Sequence, residues 1–183
     1  MSADWREVLD ESRVLERLAA FDPHVAGTFP LGLNVAGSDI DILCHAHDVA
    51  AFAEAVWSAF AYLEHFALMQ WCRAPHALIA RFTLGGIAFE LFGGADPVAQ
   101  QVGWQHFEVE CRLLDMGGEP FYRAVMSERA RGLKTEPAFA KVLGLSGDAF
   151  NQMLMLALLD ECDLQAWLGR AGFASTRPEG RAV

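Results

Sequence analysis

A chain of 183 residues, 53% hydrophobic and 21% charged, is long enough to bury a sizeable core in one domain with a helical appendage. Its net charge of −10, with lysine only at Lys134 and Lys141, excludes the clustered basic surface that non-specific duplex nucleic-acid binding needs, while a nucleotide in a local arginine-lined pocket stays compatible. No apolar run is long enough to span a bilayer, and the polar start Met1-Ser2-Ala3-Asp4-Trp5-Arg6-Glu7 shows no signal-peptide pattern.

The cysteines, Cys44, Cys72, Cys111 and Cys162, form no CxxC pair and lie in apolar runs. They are expected to be buried thiols in a reducing cytoplasm.

In chain order, residues 4–20 read as a helix with Val8, Leu15, Leu18 and Ala19 on its apolar stripe. Asp22-Pro23 stops it. A short strand over 25–28 ends in the Gly27-Thr28 turn. Residues 29–38 are loop-like, broken by Pro30, Gly32, Asn34 and Gly37. A buried strand follows over 39–44. Asp48 is the expected N-cap of a helix to about Leu63, with Val49, Phe52, Ala53, Val56, Trp57 and Phe60 on its apolar face.

Three strands are expected over 66–73, 77–84 and 87–92. Ala74-Pro75-His76 joins the first two, and Gly85-Gly86 is a two-residue hairpin turn between the last two. That turn pairs Leu84 with Ile87 and Arg81 with Glu90. One face then carries Leu78, Ala80, Phe82, Leu84, Ile87, Phe89 and Leu91 as core. The other carries Arg81, Thr83, Ala88 and Glu90, joined by Met69, Trp71 and Arg73 if the preceding turn is regular. Trp71 reads as a half-buried core aromatic, with base stacking as the alternative.

Asp96-Pro97 reads as a helix start, running to about Leu114. Gly117-Gly118 breaks the chain. Helices are then expected over 120–131, over 137–143 with Thr135 as cap, and over 148–168, before a tail at 173–183. The domain reading is an α/β core over 1–115 and a helical segment over 116–172.

The chemistry concentrates in Asp39-Ile40-Asp41. Alternation along a strand puts both carboxylates on one face, where like charges repel unless a cation lies between them. Glu90, ligand-side by the hairpin register, makes a third. Carboxylate oxygens suit Mg²⁺ or Mn²⁺, which bind one or two carboxylates together with substrate phosphates. Two such ions can activate an attacking hydroxyl and steady a leaving group. The Gly27-Thr28 turn offers N–H groups and a hydroxyl to a phosphate, with Ser38 as a further contact. Arg81 or Arg73 supplies positive charge. Cys44, His45 and His47 are too tightly spaced for one tetrahedral zinc site without distant partners. His106 and Glu110, one helical turn apart, read as a structural pair.

A Gly followed by a small residue, ten residues, and then Asp-x-Asp among apolar residues, with a later acid, resembles the nucleotidyltransferase superfamily of the polymerase-beta type. Gly27, residues 29–38, Asp39-Ile40-Asp41-Ile42 and Glu90 carry the likeness. Thr28 departs from the family's Gly or Ser. The chain also resembles a small bacterial domain-of-unknown-function family with that fold. That likeness rests on Gly-Thr-x-Pro-x-Gly at 27–32, Gly-Ser-Asp-x-Asp-Ile at 37–42, the helix carrying Gln100, His106, Glu110, Arg112, Leu113 and Leu114, and the stretch 132–140. The resemblance implies a small mixed sheet packed by helices, with a C-terminal helical segment. It implies Mg²⁺-dependent transfer of a nucleotidyl group from an NTP to a hydroxyl or phosphate on a small molecule, protein or RNA end. Asp39, Asp41 and Glu90 would be the metal and catalytic carboxylates, and Gly27, Thr28, Ser38 and Arg81 the phosphate contacts. A catalytically silent relative that binds a nucleotide or a protein partner is the alternative.

Overall fold

The computed structural model describes residues 4–72 and 77–173. Arg73 and the 74–76 joint lie outside the described residues. The helices are α1 (Trp5–Ser12), α2 (Val14–Arg17), α3 (Val49–Phe60), α4 (Val102–Ala130), α5 (Thr135–Val142), α6 (Ala149–Ala157) and α7 (Glu161–Arg170). The strands are β1 (His24–Ala26), β2 (Asp39–His45), β3 (Glu64–Trp71), β4 (Ala77–Leu84) and β5 (Ile87–Gly94). The chain divides into two compact units, Met1–Phe107 and Glu108–Val183.

The first unit is built on one mixed sheet of order β1-β2-β5-β4-β3. β2 and β5 are parallel, and the other pairs are antiparallel. Gly85 (φ 57) and Gly86 (φ 78) make the β4–β5 turn. Positive φ at both central residues is the primed hairpin geometry that glycine adopts without strain. It yields the expected pairs Leu84–Ile87 and Arg81–Glu90.

One sheet face is the main core. Ile40, Ile42, Cys44, Leu78, Ala80, Phe82, Phe89 and Leu91 cluster there with Phe52, Val56 and Phe60 of α3 and with Val8 and Val14. Phe82 stacks between Phe60 and Phe89, each centroid distance being 4.8 Å. Such ring pairs contribute about 0.5–1.5 kcal/mol each beyond their buried area. Asp48 caps α3 by accepting from Ala50 and Ala51 N–H at 3.0 Å.

Several expectations need correction. The first helix is broken at Arg13, whose φ of 52 ends α1, and Leu15 is exposed. Val49 and Trp57 of α3 are exposed too, Trp57 at 60%, because Phe52, Val56 and Phe60 already fill the core side. β3 begins at Glu64, with a register shift between Glu64 and Ala67. Trp71 sits at the end of this edge strand, 47% exposed and outside the core cluster, so it is not the core aromatic expected. After Pro97 the chain makes only a short 3₁₀ turn, Val98–Gln100, and α4 starts at Val102. Cys72 and Cys162 are exposed, against the expectation of four buried thiols.

The second unit is helical. α4 breaks at Gly118 (φ 60, ψ −162), two residues before Pro120. Thr135 is the first residue of α5 and not its cap; Lys134 holds that position. The expected helix over 148–168 is two helices, because Asp160 caps a new one by accepting from Asp163 N–H at 2.9 Å. Phe121 packs edge-on against Phe139 and Phe173. Glu128, nearly buried, receives Lys141 Nζ at 2.7 Å and the guanidinium of Arg131.

Candidate active site

The second sheet face carries the chemistry. β2 alternates, so Ile40 and Ile42 enter the core while Asp39 and Asp41 take the opposite side. Register then builds a row across five strands: Ala26 beside Asp41, Asp41 beside Glu90, Glu90 beside Arg81, and Arg81 beside Ala67. One row along, Asp39 neighbours Ala88, which neighbours Thr83. Strands lie about 4.8 Å apart and same-face residues about 6.6 Å apart along a strand, so the three carboxylates occupy one small patch. On its other side the row containing Leu43 and Phe92 is apolar and is covered by Val98, Trp104 and Phe107.

Gly27, at the end of β1, faces the Asp41 carboxylate. A Cβ on residue 27 would lie 1.9 Å from Asp41 Oδ2, and the residue's φ is 74. Two independent reasons therefore demand glycine. Thr28 begins a single turn closed by Gly32 N–H on Phe29 O (3.1 Å) and Leu33 N–H on Thr28 O (2.9 Å), with Gly32 at φ 69. These are the paired bonds of a helix C-terminal lock, and Leu33 is fully buried beneath it. The Ser38 hydroxyl oxygen accepts from Val35 N–H at 2.9 Å and holds the turn that delivers Asp39.

Arg81 Nε donates to Glu90 Oε2 at 2.7 Å, and its terminal nitrogen meets the same oxygen. The bond to Glu90 and that residue's charge raise the Arg81 pKa, and Asp39 adds to the rise. With Arg81 57% exposed, the pair contributes at most about 1 kcal/mol to stability.

The donor chemistry suits a hard cation at Asp39 and Asp41, since magnesium needs only one or two carboxylates beside phosphate oxygens. As the side chains stand, no three His, Cys, Asp or Glu among the described residues form a group able to hold a metal ion. Glu90 is engaged by the guanidinium. Cys44 lies in the core, where burial and then the charge of Asp22 push its thiol up to about 12. His106 and Glu110 are buried on α4.

A cleft of about 600 Å³ adjoins the patch, lined among others by Trp5, Phe29, Asn34, Ser38, Thr83 and Ala88. Trp5, Phe29 and Asn34 are additions to the sequence reading. Residues 29–38 were legible as a loop, but only the folded chain brings the first helix beside it.

The mixed sheet with its helices is a nucleotidyltransferase-type fold. Solved structures with this fold include a cytoplasmic RNA terminal U-transferase (14% identity, TM-score 0.50, covering 82% of this chain and 44% of that one). A mutant Cid1 poly(U) polymerase bound to MgATP matches at 14% identity and TM-score 0.50, over 82% of this chain and 47% of that one. Cid1 with its short product ApU matches at 15% identity and TM-score 0.50, over 82% and 46%. The chain thus spans under half the length of these polymerases. At such identities the likeness establishes the fold. The chain belongs to the family described as "Domain of unknown function (DUF4269)", whose model matches residues 7–156. No curated protein matches it by sequence. Among the described residues no helix is long and apolar enough to cross a membrane.

Proposed function

We propose that this protein is a Mg²⁺-dependent nucleotidyltransferase that moves a nucleotidyl group from an NTP to a hydroxyl or phosphate acceptor. The observation that carries the reading is the row Asp41–Glu90–Arg81 with Gly27 set against Asp41. A glycine backbone is pressed against one carboxylate, a second carboxylate stands beside it, and Asp39 lies one row away. Asp39 and Asp41 would hold the cation, which supplies charge for the triphosphate and acidifies the acceptor hydroxyl. Gly27 and Thr28 receive phosphate oxygens through backbone N–H groups and the Thr28 hydroxyl, with Ser38 as the neighbouring contact. In the transfer, the acceptor oxygen bonds to the α-phosphorus, the bond to the bridging oxygen breaks, and pyrophosphate leaves. Glu90 takes the acceptor proton, and Arg81 offsets the charge on the phosphates.

The Arg81–Glu90 pair supports a second reading. A guanidinium on the third carboxylate competes with a cation for it, as in a protein that binds a nucleotide without turnover. The test is thermal stabilisation of the full chain by ATP, GTP, CTP and UTP with Mg²⁺ or Mn²⁺, alongside pyrophosphate release. Metal-dependent stabilisation that vanishes in Asp39→Asn/Asp41→Asn supports the site. Stabilisation without pyrophosphate, whatever acceptor is supplied, supports the silent reading. An unchanged response in the double variant rules the site out.

A further inference from the structure

We propose that the cleft beside Asp39 is the acceptor subsite, and that it takes a small hydroxyl-bearing molecule free of negative charge rather than a nucleic-acid end. The proposal rests on the transferase reading and names its acceptor class. Position comes first. Ser38 directly precedes Asp39, Ala88 is the register partner of Asp39, and Thr83 is the partner of Ala88. All three line the cleft, while Trp5, Phe29 and Ile87 enter it from the core side, so it opens at the end of the sheet next to the row that holds Asp39.

Size and chemistry agree. A volume of about 600 Å³ lies within the range of small-molecule sites, roughly 300–1,000 Å³. Trp5 and Phe29 form an aromatic wall, their ring centroids 5.7 Å apart. Asn34 and Thr83 add an amide and a hydroxyl, the groups that orient a polyol without requiring charge. Among the described residues lining the cleft Asp4 alone is charged; it is acidic, and no described arginine or lysine joins it. The Arg6 guanidinium stacks on the Trp5 ring at 4.5 Å and is not among the lining residues. A polyanion needs cations along its track, and here it would meet an acid in a chain of net charge −10.

The rim is built with care. His65 takes a left-handed φ of 56 at the β3 bulge, and its Nδ1 meets Thr83 Oγ1 at 3.1 Å. Bulges and strained non-glycine residues of this kind recur where a side chain must be aimed.

The test uses the full chain and saturation-transfer NMR with four probes: myo-inositol, glucosamine, glucose 6-phosphate and a short oligouridylate. We expect transfer to myo-inositol or glucosamine, with at least a tenfold weaker response from the two anions. Ala88→Phe, which fills the cleft from an exposed strand position, should abolish the myo-inositol and glucosamine signals. It should leave Mn²⁺-dependent NTP stabilisation within twofold. Trp5→Ala, read the same way, guards against misfolding of the first variant. Preference for either anion, a myo-inositol or glucosamine signal that survives Ala88→Phe, no signal from either of these two, or loss of NTP binding in the folded Ala88→Phe variant each overturns the proposal. The last outcome would make the cleft a nucleotide subsite. If the wild type binds no NTP, the transferase reading fails by itself, because the myo-inositol and glucosamine measurement needs no nucleotide.

Discussion

The Asp41 carboxylate lies over the backbone of Gly27 so closely that a methyl group there would stand 1.9 Å from Oδ2. Gly27→Ala therefore does two things. It forces a residue with a side chain into a left-handed conformation, costing about 1–2 kcal/mol, and it drives the Asp41 carboxylate from its place. The expected outcome is a lowered melting temperature together with loss of metal-dependent NTP stabilisation. Gly27→Ala/Asp41→Ala should recover the part of the stability loss due to the clash and keep the backbone part, as a double-mutant cycle will show.

Arg81 holds one oxygen of Glu90. Removing it in Arg81→Ala should change stability by no more than about 1 kcal/mol, since the pair is exposed on the arginine side. Mn²⁺ titration should show tighter binding, and NTP affinity should fall. Adding Glu90→Gln should cancel the gain in metal affinity. If Mn²⁺ binding is the same in the wild type and both variants, Glu90 is no ligand.

Gly93 is a packing glycine. A Cβ there would stand 2.3 Å from the Phe52 ring, which is fully buried. Gly93→Ala should destabilise the first unit by about 1–3 kcal/mol, the usual cost of overpacking. Gly93→Ala/Phe52→Leu should regain part of this in urea denaturation.

Glu128 sets an acid limit on the helical unit. The hydrogen bond from Lys141, opposed by burial and aided by Arg131, holds its carboxyl below the usual 4.5. A depressed folded value means that this stabilisation is complete above the unfolded pKa and is lost as pH falls through the folded one. The difference in melting temperature between wild type and Glu128→Gln should be greatest near neutrality and should shrink below about pH 4.5. A pH-independent difference would show that the carboxylate charge is not involved.

The thiols should separate by reactivity. Cys72 and Cys162 are exposed, whereas burial holds Cys44 at about 12 and Cys111 at about 11. At pH 8 a disulfide reagent such as DTNB should titrate two thiols quickly and the others only slowly or on unfolding. Rapid labelling of Cys44 would contradict its place in the core.

The main core face and the hairpin register were legible because local rules suffice for them. Two glycines in a two-residue turn leave one pairing of Arg81 with Glu90, and alternation assigns the apolar face from Leu78 to Leu91. Helix ends were less legible. Arg13 and Asp160 interrupt patterns that hydrophobic spacing alone would continue, because a residue in the left-handed region or a side-chain cap ends a helix without a break in apolar periodicity. Trp57 and Trp71 were misread since spacing says which side a residue faces, not whether anything covers it.

By itself, the sequence determined an α/β chain in which Asp39 and Asp41 share one face of a strand and Glu90 sits opposite Arg81. Both follow from the two-residue period of a strand. Only the tertiary structure decided that β2 lies parallel to β5 and puts Asp41 beside Glu90, that Asp41 rests on Gly27, and that Trp5 closes a cleft beside Asp39. These contacts join segments tens of residues apart, and strand order and packing are set by burial of the whole core, not by any one stretch of chain.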